Sequence, residues 1–470
     1  MVFSGLTFLY LFLPGTLLLC FAMPARLRNA VLLLASLVFY FYGERLYLLL
    51  MLAVILLSWG AGLLLERLWG RRRRLTLILF LCLCLGLLGL FKYADLLAGT
   101  VNALAGRPLL ALLGLPLPIG VSFYSFQAIS YGLDVWRGRY PAERSLPRLA
   151  LYLSFFPQLI AGPIVRYEQL APALRERHVG PADFGAGALR FCVGLGKKVL
   201  LADRLFALCT AAAAAREPSV ALAWAESFAY LLYVYFDFSG YSDMAVGLGA
   251  CFGFRLPENF RYPLVSASIR DFWRRWHITL GAWFRDYLYI PLGGSRRGLG
   301  RQLRNLLLVW ALTGLWHGAS WNYAIWGFSV GLLLAGETLL RRRKGPDAAE
   351  PGGRRLLRRA AVLLLMTLCF VWFRFPDWSG AAALFGRMFG GAPLWSGESA
   401  YLLRGGALLL AVGALGATPL PKRLLGRLEE TGAGRCLLPA GRALWMLLLL
   451  GLSTAWLVDG SFSPFLYFRF

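Results

Sequence analysis

Long apolar runs recur down almost the whole chain, and arginine clusters separate them. Leu46–Leu65, Leu75–Leu90, Leu356–Phe373 and Ala443–Val458 are clear examples. A helix crosses a bilayer with about 17–25 apolar residues, and roughly ten to thirteen segments here approach that pattern. A chain so built cannot fold around one water-soluble core. Charged residues are 16% of the total and hydrophobic ones 59%, against about 25% charged in an ordinary soluble domain. The expectation is an all-α, polytopic integral membrane protein forming a single transmembrane domain over residues 1–470. The opening "MVFSGLTFLYLFLPGTLLLC" lacks the basic start of a cleaved signal and reads as a retained first span.

The formal net charge is +25, which in a soluble protein would suggest nucleic acid. Here the basic residues sit between apolar runs, as "RRRR" 71–74, "RRRK" 341–344 and "RRLLRR" 354–359. That is the pattern of loops held on the cytoplasmic side, and no nucleic-acid partner is expected. From the N-terminus, Leu6–Phe21 runs to Arg26 and Arg28, Ala30–Tyr42 leaves, and Leu46–Leu65 returns to Arg67 and the arginine run. The long run Leu109–Val135 then comes back to Arg137, Arg139, Arg144 and Arg148. From the other end, 341–359 reads as a basic cytoplasmic loop, and the tail 461–470, "SFSPFLYFRF", as extracytoplasmic. Both termini are therefore expected outside the cytoplasm.

Residues 157–300 break the simple pattern. "YFDFSGYSDMAVGLG" places carboxylates inside an apolar run, and "SIRDFWRRWHITLGAWFRDYLYIPLGGSRRG" alternates aromatics with arginines. Irregular backbone at membrane depth survives only inside protein or beside a wet cavity. Ile269–Tyr289 suits a helix lying at the interface. Tilted, interfacial and re-entrant helices around a hollow are expected. The eight cysteines lack the paired spacing of a zinc site or a disulfide framework and read as small core residues.

Three histidines serve 470 residues. His317, in "LTGLWHGASWNYAIW", could be a packed structural ring, but ionisable groups inside membrane segments usually face a pathway or a site. Burial disfavours the charged form, and a neutral imidazole can accept a proton. His277, in "FWRRWHITL", is either an interfacial ring among tryptophans or a second functional group. His178 lies in a charged stretch and reads as a solvated loop residue. Arg274, Arg275, Arg285, Lys197 and Lys198 either snorkel to lipid headgroups or hold phosphates. "GFSVG" 327–331 fits a nucleophile-elbow pattern but lies inside a helical run, and "GLGKK" 194–198 lacks the first glycine of a phosphate loop. The ending "PFLYFRF" either docks at the interface or offers the Tyr467 phenol as a nucleophile.

Two blocks, "DFWRRWHITLGAWFRDYLYIPLGG" 271–294 and "LTGLWHGASWNYAIWG" 312–327, resemble the membrane-bound O-acyltransferases. The bacterial branch typified by the alginate O-acetyltransferase membrane subunit is the most similar. "YFDFSGYSDMAVGLGACFGFRLPENFRYP" 235–263, "FPQLIAGPIVRYEQL" 156–170 and both chain ends carry the same resemblance. It implies a ring of tilted helices around a tunnel, with the family's histidine at His317 and its second histidine at His277. It also implies O-acylation of an extracytoplasmic glycan, with alginate as the model case. The donor would be a cytoplasmic thioester, acetyl-CoA, used as cosubstrate with no bound cofactor and no metal. Asp271 and Asn322 are candidates for orienting the rings, and Arg274 and Arg275 for binding the donor. The terminal aromatics are similar to a motif on a partner peptide of D-alanyl transfer, which would make Tyr467 an acyl carrier.

The chain shows no sizeable outside domain to grip a polymer. A periplasmic or extracellular SGNH-type acyltransferase is the expected partner, passing the group to a cell-surface polysaccharide, with membrane lipids around the chain and a bacterial cytoplasmic membrane as its setting. D-alanyl transfer to teichoic acid is the alternative chemistry. A transporter or flippase is the alternative of another kind, and it predicts inverted repeats that the sequence does not display.

Overall fold

The apolar runs become helices in a computed structural model that describes residues 1–344, 352–460 and 465. Among those residues no strand occurs. Among the described residues, seven helices are long and apolar enough to cross a membrane, including Tyr47–Arg67, Gly352–Arg374, Gly397–Gly416 and Gly432–Val458. The protein is an all-α, multi-pass membrane protein.

Its contacts group into two compact units, residues 1–191 with 241–257, and residues 192–240 with 258 onward. In the first, Val121–Trp136 is buried over nearly its whole length and packs against Tyr47–Arg67 and Gly70–Leu88. Beside them Phe3, Phe8, Phe39 and Phe156 interleave their rings. In the second, buried charges are matched. Lys198 Nζ lies 2.8 Å from Asp203 and 2.7 Å from Asp237, and Arg374 Nη1 lies 2.6 Å from Glu226. Such charges survive away from water only when paired, so these pairs tie the Asp203–Ala213, Val220–Cys251 and Gly352–Arg374 helices together.

Several apolar runs prove shorter as helices than as sequence, which is why fewer than ten spans stand out. Leu109–Val135 is helical only from Val121, because Pro116, Pro118 and Gly120, at φ 76°, keep the preceding residues out of a helix. The first segment yields an apolar helix over Phe8–Ala22, short of the length needed for a full hydrocarbon core. Residues 341–359 are not simply a loop. Helix Trp321–Lys344 extends into them from one side and Gly352–Arg374 from the other, and 345–351 lie outside the described residues. Ile269–Tyr289 is not one interfacial helix but three pieces, Ile269–Arg275, Ile278–Phe284 and the π-type turn Arg285–Tyr289, broken at Trp276 and His277.

Candidate active site

His317 is the last residue of the Leu299–His317 helix, and Trp321–Lys344 returns beside it. The two helices touch backbone to backbone. A Cβ on Gly314 would overlap the Tyr323 carbonyl oxygen, and one on Gly327 would overlap that of Trp310. This approach brings Trp326 onto the His317 ring, with centroids 5.1 Å apart and planes at 89°. Trp316 at 4.9 Å and Phe373 at 5.4 Å add two more sides. The imidazole is 4% exposed. "GFSVG" lies within the returning helix, with no strand before it.

His277 is held by hydrogen bonds around a bend. Ser268 caps the Ile269–Arg275 helix by accepting from the Asp271 N–H at 3.0 Å. Trp276 is extended, and His277 takes left-handed angles, φ 44° and ψ 54°. A non-glycine residue there stores of order 1–3 kcal/mol of strain, and such residues gather at functional sites. Asn259 fastens the bend. Its carbonyl accepts the Ile278 N–H at 2.9 Å, and its Oδ1 accepts the Thr279 N–H at 3.2 Å and the Thr279 hydroxyl at 3.0 Å. His277 Nδ1 lies 3.1 Å from the same Oδ1. A backbone N–H can only donate, so Oδ1 is an acceptor and Nδ1 must carry the proton. In the neutral ring the lone pair then belongs to Nε2. Burial lowers the His277 pKa to about 3. The Phe238 ring meets the imidazole edge-on at 4.6 Å.

The two rings share surroundings. Trp316, 4.9 Å from His317, is 6.0 Å from His277, and both histidines line one cavity of about 470 Å³. Ligand pockets typically measure about 300–1,000 Å³. Trp273, Trp310 and Thr313 form part of its wall, and Arg270, Arg274 and Arg285 line it as well. Two of these guanidiniums are braced: Arg270 donates to Thr338 Oγ1 at 3.0 Å, and Arg285 grips Asp286 through two bonds of 2.7 and 3.1 Å. Arg274 is exposed. The hollow thus sets cationic side chains and two imidazoles on one lining.

Other residues singled out from sequence stand elsewhere. Asp271 and Arg275 pair at 2.9 Å and line a second cavity. Asn322 spends its amide on the carbonyls of Phe375, at 3.1 Å, and Asp377. Lys198 is committed to Asp203 and Asp237, and His178 is a solvated residue beside Glu176. Tyr467 lies outside the described residues. Phe465, two positions before it, is buried and sits 6.1 Å from Phe238, the ring that contacts His277. Sequence reasoning missed Asn259, Phe238 and the Gly314–Gly327 contact. The glycines carried a signal, since small residues mark close helix pairs in membranes. Asn259 carried none.

The membrane-bound O-acyltransferase family model matches residues 36–373, a stretch that holds both histidine blocks and runs through both units. The chain belongs to this family. As a member it is an O-acyltransferase, an enzyme of acyl-group transfer. It is 39% identical to a probable alginate O-acetylase AlgI of Azotobacter vinelandii, over the full length of both proteins. A probable alginate O-acetylase AlgI of Pseudomonas aeruginosa is 44% identical over 75% of this chain and 68% of that protein. A peptidoglycan O-acetyltransferase of Helicobacter pylori is 36% identical over 71% of this chain and 70% of its own length. Teichoic acid D-alanyltransferases match less well, at 26–28% identity over less than half of this O-acyltransferase.

Proposed function

We propose that the enzyme takes an acetyl group from a cytoplasmic thioester, acetyl-CoA, and passes it through the membrane for O-acetylation of an extracytoplasmic polysaccharide. The observation that carries this is the cavity itself: two histidines from distant segments and three arginines border one hollow of ligand size. His317 acts as the general base. It removes the proton from an attacking hydroxyl as that oxygen bonds the thioester carbonyl carbon. The carbon–sulfur bond then breaks, and the proton passes from the imidazole to the departing thiolate. General-base catalysis of this kind is worth about 10²–10⁴-fold.

His277 has a different part. Its proton is given to Asn259, so Nε2 accepts a hydrogen bond and does not donate one to a carbonyl oxygen. That argues against stabilising the oxyanion and for a positioning part, with Nε2 accepting from a donor other than the attacking hydroxyl, whose one proton goes to His317. Arg274, with Arg270 and Arg285, suits the donor's phosphates. Arg275, Asp271 and Asn322 have less support for a direct part, because other groups hold them. Tyr467 is the proposed first acceptor, forming a phenyl ester that a periplasmic or extracellular SGNH-type acyltransferase relays to the glycan. Phe465 beside the ring that packs on His277 supports a tail that reaches the site. This needs the tail outside the cytoplasm, in keeping with the arginine distribution, in a bacterial cytoplasmic membrane and with a central tunnel as the acyl route. We read both units as one catalytic domain. D-alanyl transfer ranks second, because its relatives match less than half of the chain.

The test is transfer of labelled acetyl from acetyl-CoA in membranes carrying wild-type protein, His317→Ala or Tyr467→Phe. The proposal expects the acylated glycan to disappear with His317→Ala while the folded protein persists. Tyr467→Phe should also remove the protein-bound label. Undiminished product from His317→Ala would refute the assignment.

A further inference from the structure

A second cavity, of about 360 Å³, is bordered by the same short helix that lines the first. Along Ile269–Arg275, Arg270 and Arg274 line the histidine cavity, whereas Asp271 and Arg275 line the other. Residues four apart share a helix face and adjacent residues point about 100° apart, so the helix acts as a partition. Four guanidinium groups border the second hollow, those of Arg275, Arg355, Arg359 and Arg423, against one carboxylate, Asp271. That carboxylate is already bound to Arg275. The Nε of Arg359 is enclosed without a hydrogen-bond partner. Thr418 and the start of the Leu420–Glu430 helix close the wall, adding the positive end of a helix.

Cations so grouped repel one another unless an anion lies among them. Arginine in clusters is the residue that grips phosphate oxygens in pairs. Arg355 and Arg359 stand one turn apart near the start of the membrane-spanning Gly352–Arg374 helix, the depth at which lipid headgroups meet a protein.

We infer that this cavity is a binding site for a phosphate-bearing anion, separate from the histidine cavity. A phospholipid headgroup and a soluble phosphate ester share the chemistry, and the test separates them. Full-length protein is placed in nanodiscs of phosphatidylcholine alone and its thermal unfolding midpoint is followed in two arms. One adds inorganic pyrophosphate; the other replaces part of the phosphatidylcholine with phosphatidylglycerol. Ligand binding to the folded state should raise the midpoint by about 2 °C or more in at least one arm. A rise with phosphatidylglycerol identifies a headgroup site, and a rise with pyrophosphate a soluble phosphate. The doubly substituted Arg359→Gln, Arg423→Gln protein should lose the rise. Arg71→Gln with Arg72→Gln, on an exposed arginine run, should keep it. Should loss of the enclosed Arg359 prevent folding, Arg355→Gln alone, at an exposed position, should at least halve the rise. No rise in either arm, or a rise undiminished in these cavity variants, overturns the inference. The outcome does not depend on acyl transfer, so it stands or falls apart from the proposed chemistry.

Discussion

The two histidines reach one cavity by opposite means. His317 ends a regular helix, and a helix pair in backbone contact at Gly314 and Gly327 sets its place. His277 sits on broken backbone, in left-handed angles, and is fixed by hydrogen bonds to Asn259. Packing positions the first ring and polar satisfaction positions the second. The difference teaches that a membrane enzyme can hold a buried ring in place without regular structure. It can do so only if every backbone group at the break finds a partner, as Ile278 and Thr279 do.

The largest expected effect falls on the packed arm. Gly314→Leu drives a side chain into the Tyr323 carbonyl and should cost about 3 kcal/mol or more, seen as a collapse of the folded fraction in detergent. If the variant folds and turns over normally, the backbone contact does not set the place of His317. On the tethered arm, His277→Gly relieves the left-handed strain but empties a buried site and gives up the bond to Asn259, so the protein should stay folded with a somewhat lower thermal midpoint. Transfer should nevertheless fall by about 10²-fold. A variant both stable and active would leave His277 with no part beyond packing.

Asn259→Asp sharpens the comparison through pH. With a pKa near 3, wild-type His277 stays neutral across the neutral range and contributes no acid limb there. A carboxylate beside Nδ1 favours the imidazolium, so the pKa rises. Protonation removes the Nε2 acceptor, so activity should be lost as pH falls through the raised value, at a higher pH than in wild type. Superimposable pH profiles would count against the tether. The smallest effect belongs to Asn322→Ala, which gives up bonds to the Phe375 and Asp377 carbonyls. It should lower stability by about 1–2 kcal/mol and change kcat little. A large fall in kcat at normal stability would return Asn322 to the site.

The same contrast explains what could be read in advance. Spans such as Tyr47–Arg67 were legible because composition alone makes them helices. His317 stood out as an imidazole in an apolar run. Asn259 did not, because nothing eighteen residues before His277 announces a hydrogen bond made by the fold. The separation of Arg274 from Arg275 into different cavities was available from helix geometry, but only if Ile269–Arg275 was known to be helical and to stop there. The break at His277 hid that limit, since left-handed angles at a histidine leave no compositional trace.

The central claim is that both imidazoles serve one acyl transfer in one cavity. A photoreactive acyl-thioester analogue, activated on the intact protein in membranes and mapped by peptide mass spectrometry, tests it most directly. The account predicts labels on cavity residues such as Trp310 and Thr313, suppressed by excess acetyl-CoA. Specific labels confined to lipid-facing helices such as Gly432–Val458, with the histidine cavity untouched, would contradict it.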